Sequence, residues 1–250
     1  MIYITLLISL FYATLILLYR ISWNKISESK EVNYNDTVSV VVACRNEEQN
    51  IKNLIKDIMN QNFDKYRFQM IIVDDHSEDK TLEILYKESE KWTNLHIVSM
   101  HDDEIGKKNA IRKGVDIANG DVILCTDADC RVGGDWIKIM LSSFTNKRIK
   151  FVSGLVKFSS QNTFLNKFQS LELISLVSSG AAAIQRKKST ICNGANLAFR
   201  KKEYNEIPMD VIHDFSTDDV SLLHYFKKYY KDGILFSKNL DSIVETSSNT

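Results

Sequence analysis

DVILCTDADCR, residues 121–131, is an apolar run that ends in two closely spaced acids. Val122, Ile123, Leu124 and Cys125 form a short apolar run rich in β-branched residues, with Gly120 before it and polar residues after it. That pattern predicts a strand buried on both faces. Asp127 and Asp129 follow at its carboxyl edge with only Ala128 between them. Open α/β sheets bind their ligands at that edge. Two carboxylates this close repel each other unless a cation lies between them, so the pair predicts a hard divalent metal with a phosphate ligand. The plainer alternative is a solvated turn carrying two acids.

The 250 residues are 44% hydrophobic, enough for one large α/β domain or two small ones. Lysine plus arginine and aspartate plus glutamate balance at 32 each, so no overall basic field points to nucleic acid and any phosphate site must be local. Cys44, Cys125, Cys130 and Cys192 are scattered without zinc spacing, and they read as reduced thiols in a cytosolic environment. The five histidines do not cluster.

From Ile2 to Tyr19 the chain carries no charge, and as a helix that run would be about 27 Å long, close to the hydrocarbon thickness of a bilayer. We expect a membrane anchor over residues 1–20, a polar tether over 21–36 and a single domain over 37–250. Arg20, Lys25 and Lys30 flank the anchor on its C-terminal side only, which predicts that the domain lies in the cytoplasm. Val38 to Cys44 reads as the first strand, and Ile51, Leu54, Ile55 and Ile58 recur at helical spacing after it. Met70 to Val73 is a second strand ending in Asp74 and Asp75, with Ser77 or Asp79 as helix caps. Leu95 to Val98 supplies a third strand, Lys107 to Ala118 a helix, and the stretch ending in DAD the fourth strand. This alternation predicts a mostly parallel sheet with helices on both faces, its acids converging on one edge. Phe164, Phe168, Leu171, Ile174 and Leu176 form a helical stripe whose ordinary reading is core; the alternative is a face along a bilayer.

Rival phosphate chemistries fit poorly. CRNEEQN after the first strand has no glycine, which excludes the dinucleotide fingerprint, and GKKN lacks the spacing of a Walker A loop. A phosphatase with an aspartyl nucleophile would carry Thr or Val where Arg131 stands. The segments VSVVVACRNEE (38–48), IIVDDHSEDKT (71–81), GKKNAIRKG (106–114), TDADC (126–130), NGANLAFRK (193–201) and STDDVSL (216–222) together resemble the inverting glycosyltransferases of family 2, over about residues 38–236.

That resemblance implies a GT-A fold and a metal-dependent transfer of a sugar from a nucleotide-sugar, UDP-linked, to a glycan or lipid-linked acceptor in cell-surface polysaccharide or glycolipid synthesis. Its site residues carry over by position. Ala43, Arg45, Glu47, Asp74 and Asp75 would hold the nucleobase and ribose, with Asp75 contacting uracil. Lys107, Lys108 and Asn109 would lie along the diphosphate, Asp127 toward ribose and metal, and Asp129 on Mg²⁺ or Mn²⁺. Asp219 matches the general base, with Asp218 where the family usually has Glu. Asn193, Gly194 and Asn196 would face the acceptor. None of Trp23, Trp92 and Trp136 is preceded by arginine, so the family's QxxRW-type segment is missing and the domain is expected to be cut short at its C-terminal end. A non-catalytic sugar-nucleotide-binding or assembly module of the same fold is the rival reading.

Overall fold

The structure, a computed structural model, describes residues 1–26, 35–101, 104–159, 163–208 and 218–247, with the side chain of Asp218 outside that set. The main sheet has seven strands in the order β3-β2-β1-β4-β8-β6-β9. These are β1 (Val38–Cys44), β2 (Phe68–Asp74), β3 (Leu95–Ser99), β4 (Val122–Cys125), β6 (Phe151–Gly154), β8 (Leu197–Arg200) and β9 (Ile234–Ser237). All neighbours pair in parallel except β8, which runs antiparallel to both β4 and β6. A small second sheet joins β5 (Arg131–Val132), β10 (Val244–Thr246) and β7 (Val156–Phe158), with β10 in the middle.

Period-two alternation along the strands divides the core into two layers. Val40, Val42, Met70, Ile72 and Leu124 pack against α2 (Ile51–Met59), α3 (Thr81–Ser89) and α5 (Trp136–Ser142). Val41, Ile71, Val73, Ile123 and Phe199 pack on the other face, against α4 (Lys107–Ile117), α7 (Lys201–Asn205) and α8 (Asp218–Tyr229). Gly114 lets α4 approach the sheet, since a Cβ there would run into the side chain of Val41. The sheet order turns back between β1 and β4, and β1 ends level with β2, Cys44 opposite Asp74. A crevice therefore opens at the carboxyl ends of these strands.

Two expectations change. Helix α1 runs Ile2–Asn24, so the first part of the expected tether is helical, and Ser22 and Ile26 are buried. Ile26 packs with Ala181 and Ile184 of α6 (Phe164–Gln185) and with Phe236 of β9. The stripe on α6 is not core: Phe168, Leu171 and Ile174 are 60%, 63% and 53% exposed. The buried part of α6 is its small-residue end, Gly180 to Ala183, where Gly180 brings the helix against Ile191.

Candidate active site

The loops after β1 and β2 are woven together. Asn46, in the left-handed region at φ 56°, donates its backbone N–H to Ser77 Oγ at 2.9 Å and accepts from Glu78 N–H at 2.8 Å. The Glu47 N–H donates to Thr81 Oγ1 at 2.8 Å, and the Glu48 N–H to Asp79 Oδ2 at 3.1 Å. Ser77 thus serves the neighbouring loop, while Asp79 does that and also accepts from the Thr81 N–H at the start of α3. Ala43 is half-buried and Arg45 exposed at the β1 tip.

Asp74 and Asp75 divide their roles. Asp74 is 2% exposed, and its carboxylate accepts from the Ser77 N–H at 3.2 Å, which ties the loop to its strand. Asp75 reaches toward α4: its Oδ2 accepts from the Gly106 N–H at 2.9 Å, while its Oδ1 lies 3.0 Å from His76 Nδ1. Gly106 has φ +99°, a conformation open to glycine, and it is this conformation that presents the N–H. Lys107 and Lys108 follow directly. Asn109 turns back instead, its amide donating to the Ile105 carbonyl at 2.9 Å.

Lys107 Nζ reaches Asp127 Oδ1 at 2.6 Å. Asp127, Asp129 and Cys130 bring potential ligand atoms within 4.8 Å of one another. Burial, then the charges of Asp129 and Asp127, push the Cys130 thiol up to about 12, so it stays protonated and lies 3.6 Å from Asp129 Oδ1 as a donor. Two of these three groups are carboxylates, which suit a hard, oxygen-preferring ion such as Mg²⁺ or Mn²⁺. Glu47 feels the same acids: burial first, then Asp129, Asp79 and Asp127, raise its carboxyl above the ordinary value, with only Asn50 opposing. Such mutual repulsion is what a bound cation would relieve.

Asp129 is held from outside the motif as well. Its Oδ2 accepts from Thr246 Oγ1 at 3.0 Å and from Ser247 Oγ at 2.8 Å. The chain beyond it is clamped by Asp57 of α2, which accepts from Arg131 Nε at 2.6 Å, Arg131 Nη2 at 2.8 Å and the Val132 N–H at 3.3 Å.

Lys107, Lys108, Asp127, Gly194 and Asp219 line one cavity of about 120 Å³, floored by Cys125 and Phe199. Asp219, in the first turn of α8, accepts from the Val220 N–H through Oδ1 at 2.9 Å. Its Oδ2 is close to the chain at Gly194, where a Cβ would stand 3.2 Å away. The half-buried Cys192 donates its thiol to the Asp219 carbonyl at 3.3 Å.

A model of the family described as "Glycosyl transferase family 2" matches residues 39–207. The chain belongs to glycosyltransferase family 2. Its relatives include the poly-β-1,6-N-acetyl-D-glucosamine synthase of Staphylococcus aureus, 28% identical over 141 residues, which are 56% of this chain and 33% of that protein. Glycosyltransferase AglE of Haloferax volcanii is 28% identical over 125 residues, 50% of this chain and 41% of that protein. The alignments thus span less than half the length of these relatives. Among solved structures, the mannosyltransferase PcManGT of Pyrobaculum calidifontis, in complex with GDP-Man and Mn²⁺, superposes with a TM-score of 0.71 at 18% identity, over 96% of this chain and 66% of its own. TarS of S. aureus in complex with UDP-GlcNAc gives 0.60 at 18% identity, over 86% and 59%. Those likenesses establish the GT-A-like fold.

Within this family 2 chain, the sequence-predicted residues are brought together unevenly. Asp75, Lys107, Lys108, Asp127, Asp129, Gly194 and Asp219 gather at the crevice, and Glu47 shares its electrostatics. Asn193 caps a 3-10 turn, its Oδ1 accepting from the Ala195 N–H at 2.9 Å. Asn196 does not face the crevice. It is 0% exposed, and its amide donates to the Leu155 and Ser242 carbonyls at 2.8 and 2.9 Å while accepting from Trp136 Nε1 at 3.0 Å. The amide group is saturated inside the core, so Asn196 supports the Asn193–Gly194 turn from behind. Asp218 as a catalytic side chain lies outside the described residues. Asp57, Thr246 and Ser247 carry no motif and were not signalled by sequence.

Proposed function

We propose that this chain is the donor-binding and catalytic domain of a membrane-anchored, inverting glycosyltransferase, with the anchor in α1 and the domain from about residue 37 onward on the cytoplasmic side. It moves a sugar from a UDP-sugar to a glycan or lipid-linked acceptor of the cell surface. The observation that carries this reading is the shared cavity, in which Lys107 and Asp127 face Asp219.

Asp75, held by the Gly106 N–H, is positioned to read the nucleobase beside the β1 tip at Ala43 and Arg45. Lys107, paired with Asp127, would supply its charge to a diphosphate once another cation takes its place there. Asp127 and Asp129 would hold Mg²⁺ or Mn²⁺, which when bound supplies positive charge against the departing nucleoside diphosphate. Asp219 accepts the proton of the acceptor hydroxyl as that oxygen attacks the anomeric carbon, and attack on the face opposite the leaving group inverts the configuration. A binding-only module would need no carboxylate there, so the place of Asp219 in the cavity favours the enzyme.

Helix α1 is long and apolar enough to cross a membrane, with Arg20 and Lys25 at its domain end. It lies against α6, whose exposed Phe168 and Leu171 would extend the same apolar surface. A cleft lined by Leu176, Val177 and Gly180 of α6 and by Ile191, Cys192 and Asn193 lies between that helix and the segment that runs on to Gly194. This supports a lipid-linked acceptor.

The test is turnover of UDP-GlcNAc and UDP-Glc by the full chain beside Asp219→Asn and Asp129→Asn. Asp219→Asn is expected to keep metal-dependent UDP binding and lose about 10²- to 10⁴-fold in turnover, whereas Asp129→Asn loses the binding itself. Wild-type turnover by Asp219→Asn would overturn the assignment.

A further inference from the structure

We infer that the C-terminal strand completes the metal site: Thr246 and Ser247 are positioning residues that hold the Asp129 carboxylate in its ligating orientation through their hydroxyls. This rests on the proposal that Asp127 and Asp129 take a divalent cation. Both hydroxyls converge on one oxygen, Asp129 Oδ2, at 3.0 and 2.8 Å, from 117 and 118 residues away in sequence. The other oxygen lies beside the Cys130 thiol. Asp129 thus has donors on both oxygens, and none of them is a cation that would compete with a metal.

The arrangement is built rather than incidental. Strand β10 pairs antiparallel with β5, Glu245 opposite Arg131 and Val244 opposite Val132, so the next residue, Thr246, comes level with the DxD turn. On its other side β10 pairs with β7, and the Thr246 carbonyl accepts from the Ser159 N–H at 2.9 Å. Along the strand Val244 faces the core, completely buried, Glu245 turns out to Lys157 at 2.7 Å, and Thr246 returns to the inner face. The strand backbone is therefore anchored on both edges, and the hydroxyl it presents has a fixed origin. Carboxylate ligands oriented by such outer partners bind metal more tightly than free ones.

The experiment is calorimetric titration of Mn²⁺ into the full chain in detergent micelles with saturating UDP. Thr246→Val keeps the shape and strand preference of the side chain and removes only the hydroxyl; it is combined with Ser247→Ala. The double variant is expected to bind Mn²⁺ about 10- to 100-fold more weakly, with unchanged thermal unfolding in EDTA. Thr246→Ser restores affinity toward wild type, and Glu245→Gln on the same strand leaves it unaltered. If the double variant unfolds early, Ser247→Ala alone, at an exposed position, serves, with a several-fold loss expected. Wild-type or tighter affinity in the variants overturns the inference and leaves the metal site standing; absence of Mn²⁺ binding by the wild type overturns both.

Discussion

Replacing Asn196 by alanine separates a supporting residue from an acceptor contact. The side chain is fully buried, and its loss strands three groups at once: the Trp136 indole N–H and the carbonyls of Leu155 and Ser242. A buried polar group left without a partner costs about 1–3 kcal/mol, and for three neighbouring groups that relax partly together we expect roughly 3–6 kcal/mol in total. Against a usual stability of about 5–15 kcal/mol this is a large share. For a chain of this size it corresponds to a fall of roughly 6–24 °C in Tm. Asn196→Asp should be as damaging, because a carboxylate there still accepts from Trp136 but faces two carbonyl oxygens without a donor. The assay is scanning calorimetry of the full chain in micelles, paired with acceptor KM at a temperature where each variant is folded. An Asn196→Ala protein within about 0.5 kcal/mol of wild type, with a raised acceptor KM, would refute this account and return Asn196 to the acceptor surface.

Gly106→Ala forces a side chain into a positive-φ conformation at a position with open space around it, so the cost is backbone strain of about 1–3 kcal/mol rather than a clash; UDP affinity should fall because the N–H to Asp75 shifts, and calorimetry with UDP reads both effects against Tm. The raised carboxyl of Glu47 contributes stability that is present below the ordinary glutamate range and lost as pH rises through its folded-state value. Glu47→Gln should therefore unfold at a higher temperature than wild type at pH 7 in EDTA, the two converging near pH 4, with Mn²⁺ narrowing the gap at pH 7; no pH dependence in the difference would contradict the repulsion. Cys125 and Cys130 are buried, and both thiols are pushed up to about 12, so at pH 8 alkylation should reach them only on unfolding. Mass spectrometry of native and urea-treated protein reads this directly.

The strands that build the crevice were legible because burial on both faces leaves continuous β-branched runs, as in Val38 to Cys44. Asp75, Asp127 and Asp129 stand out at strand ends because no cap demands them, whereas Asp74, buried, ties its loop to β2. What the α6 stripe packs against was not legible, since Phe168 and Leu171 have the same periodicity whether protein or lipid covers them. Asn196 misled for the opposite reason: a polar residue in a strand-end turn reads as a site residue until Trp136, sixty positions upstream, is seen to occupy its carbonyl oxygen. Thr246 and Ser247 sit in a plain polar segment, and only the pairing of β10 with β5 brings them to Asp129. Asp57 is one acid on an amphipathic helix, indistinguishable in sequence from a solvated neighbour.

A metal-dependent nucleotide-sugar site built on Asp127 and Asp129 ties nucleotide affinity to the divalent cation. Calorimetric binding of UDP and GDP to the full chain, with and without Mn²⁺, in wild type and Asp129→Ala, tests it most directly. UDP is expected to bind only with Mn²⁺, more tightly than GDP, and not to the variant. UDP binding that is indifferent to Mn²⁺ and survives Asp129→Ala, or binding of neither nucleotide under any metal condition, would contradict it.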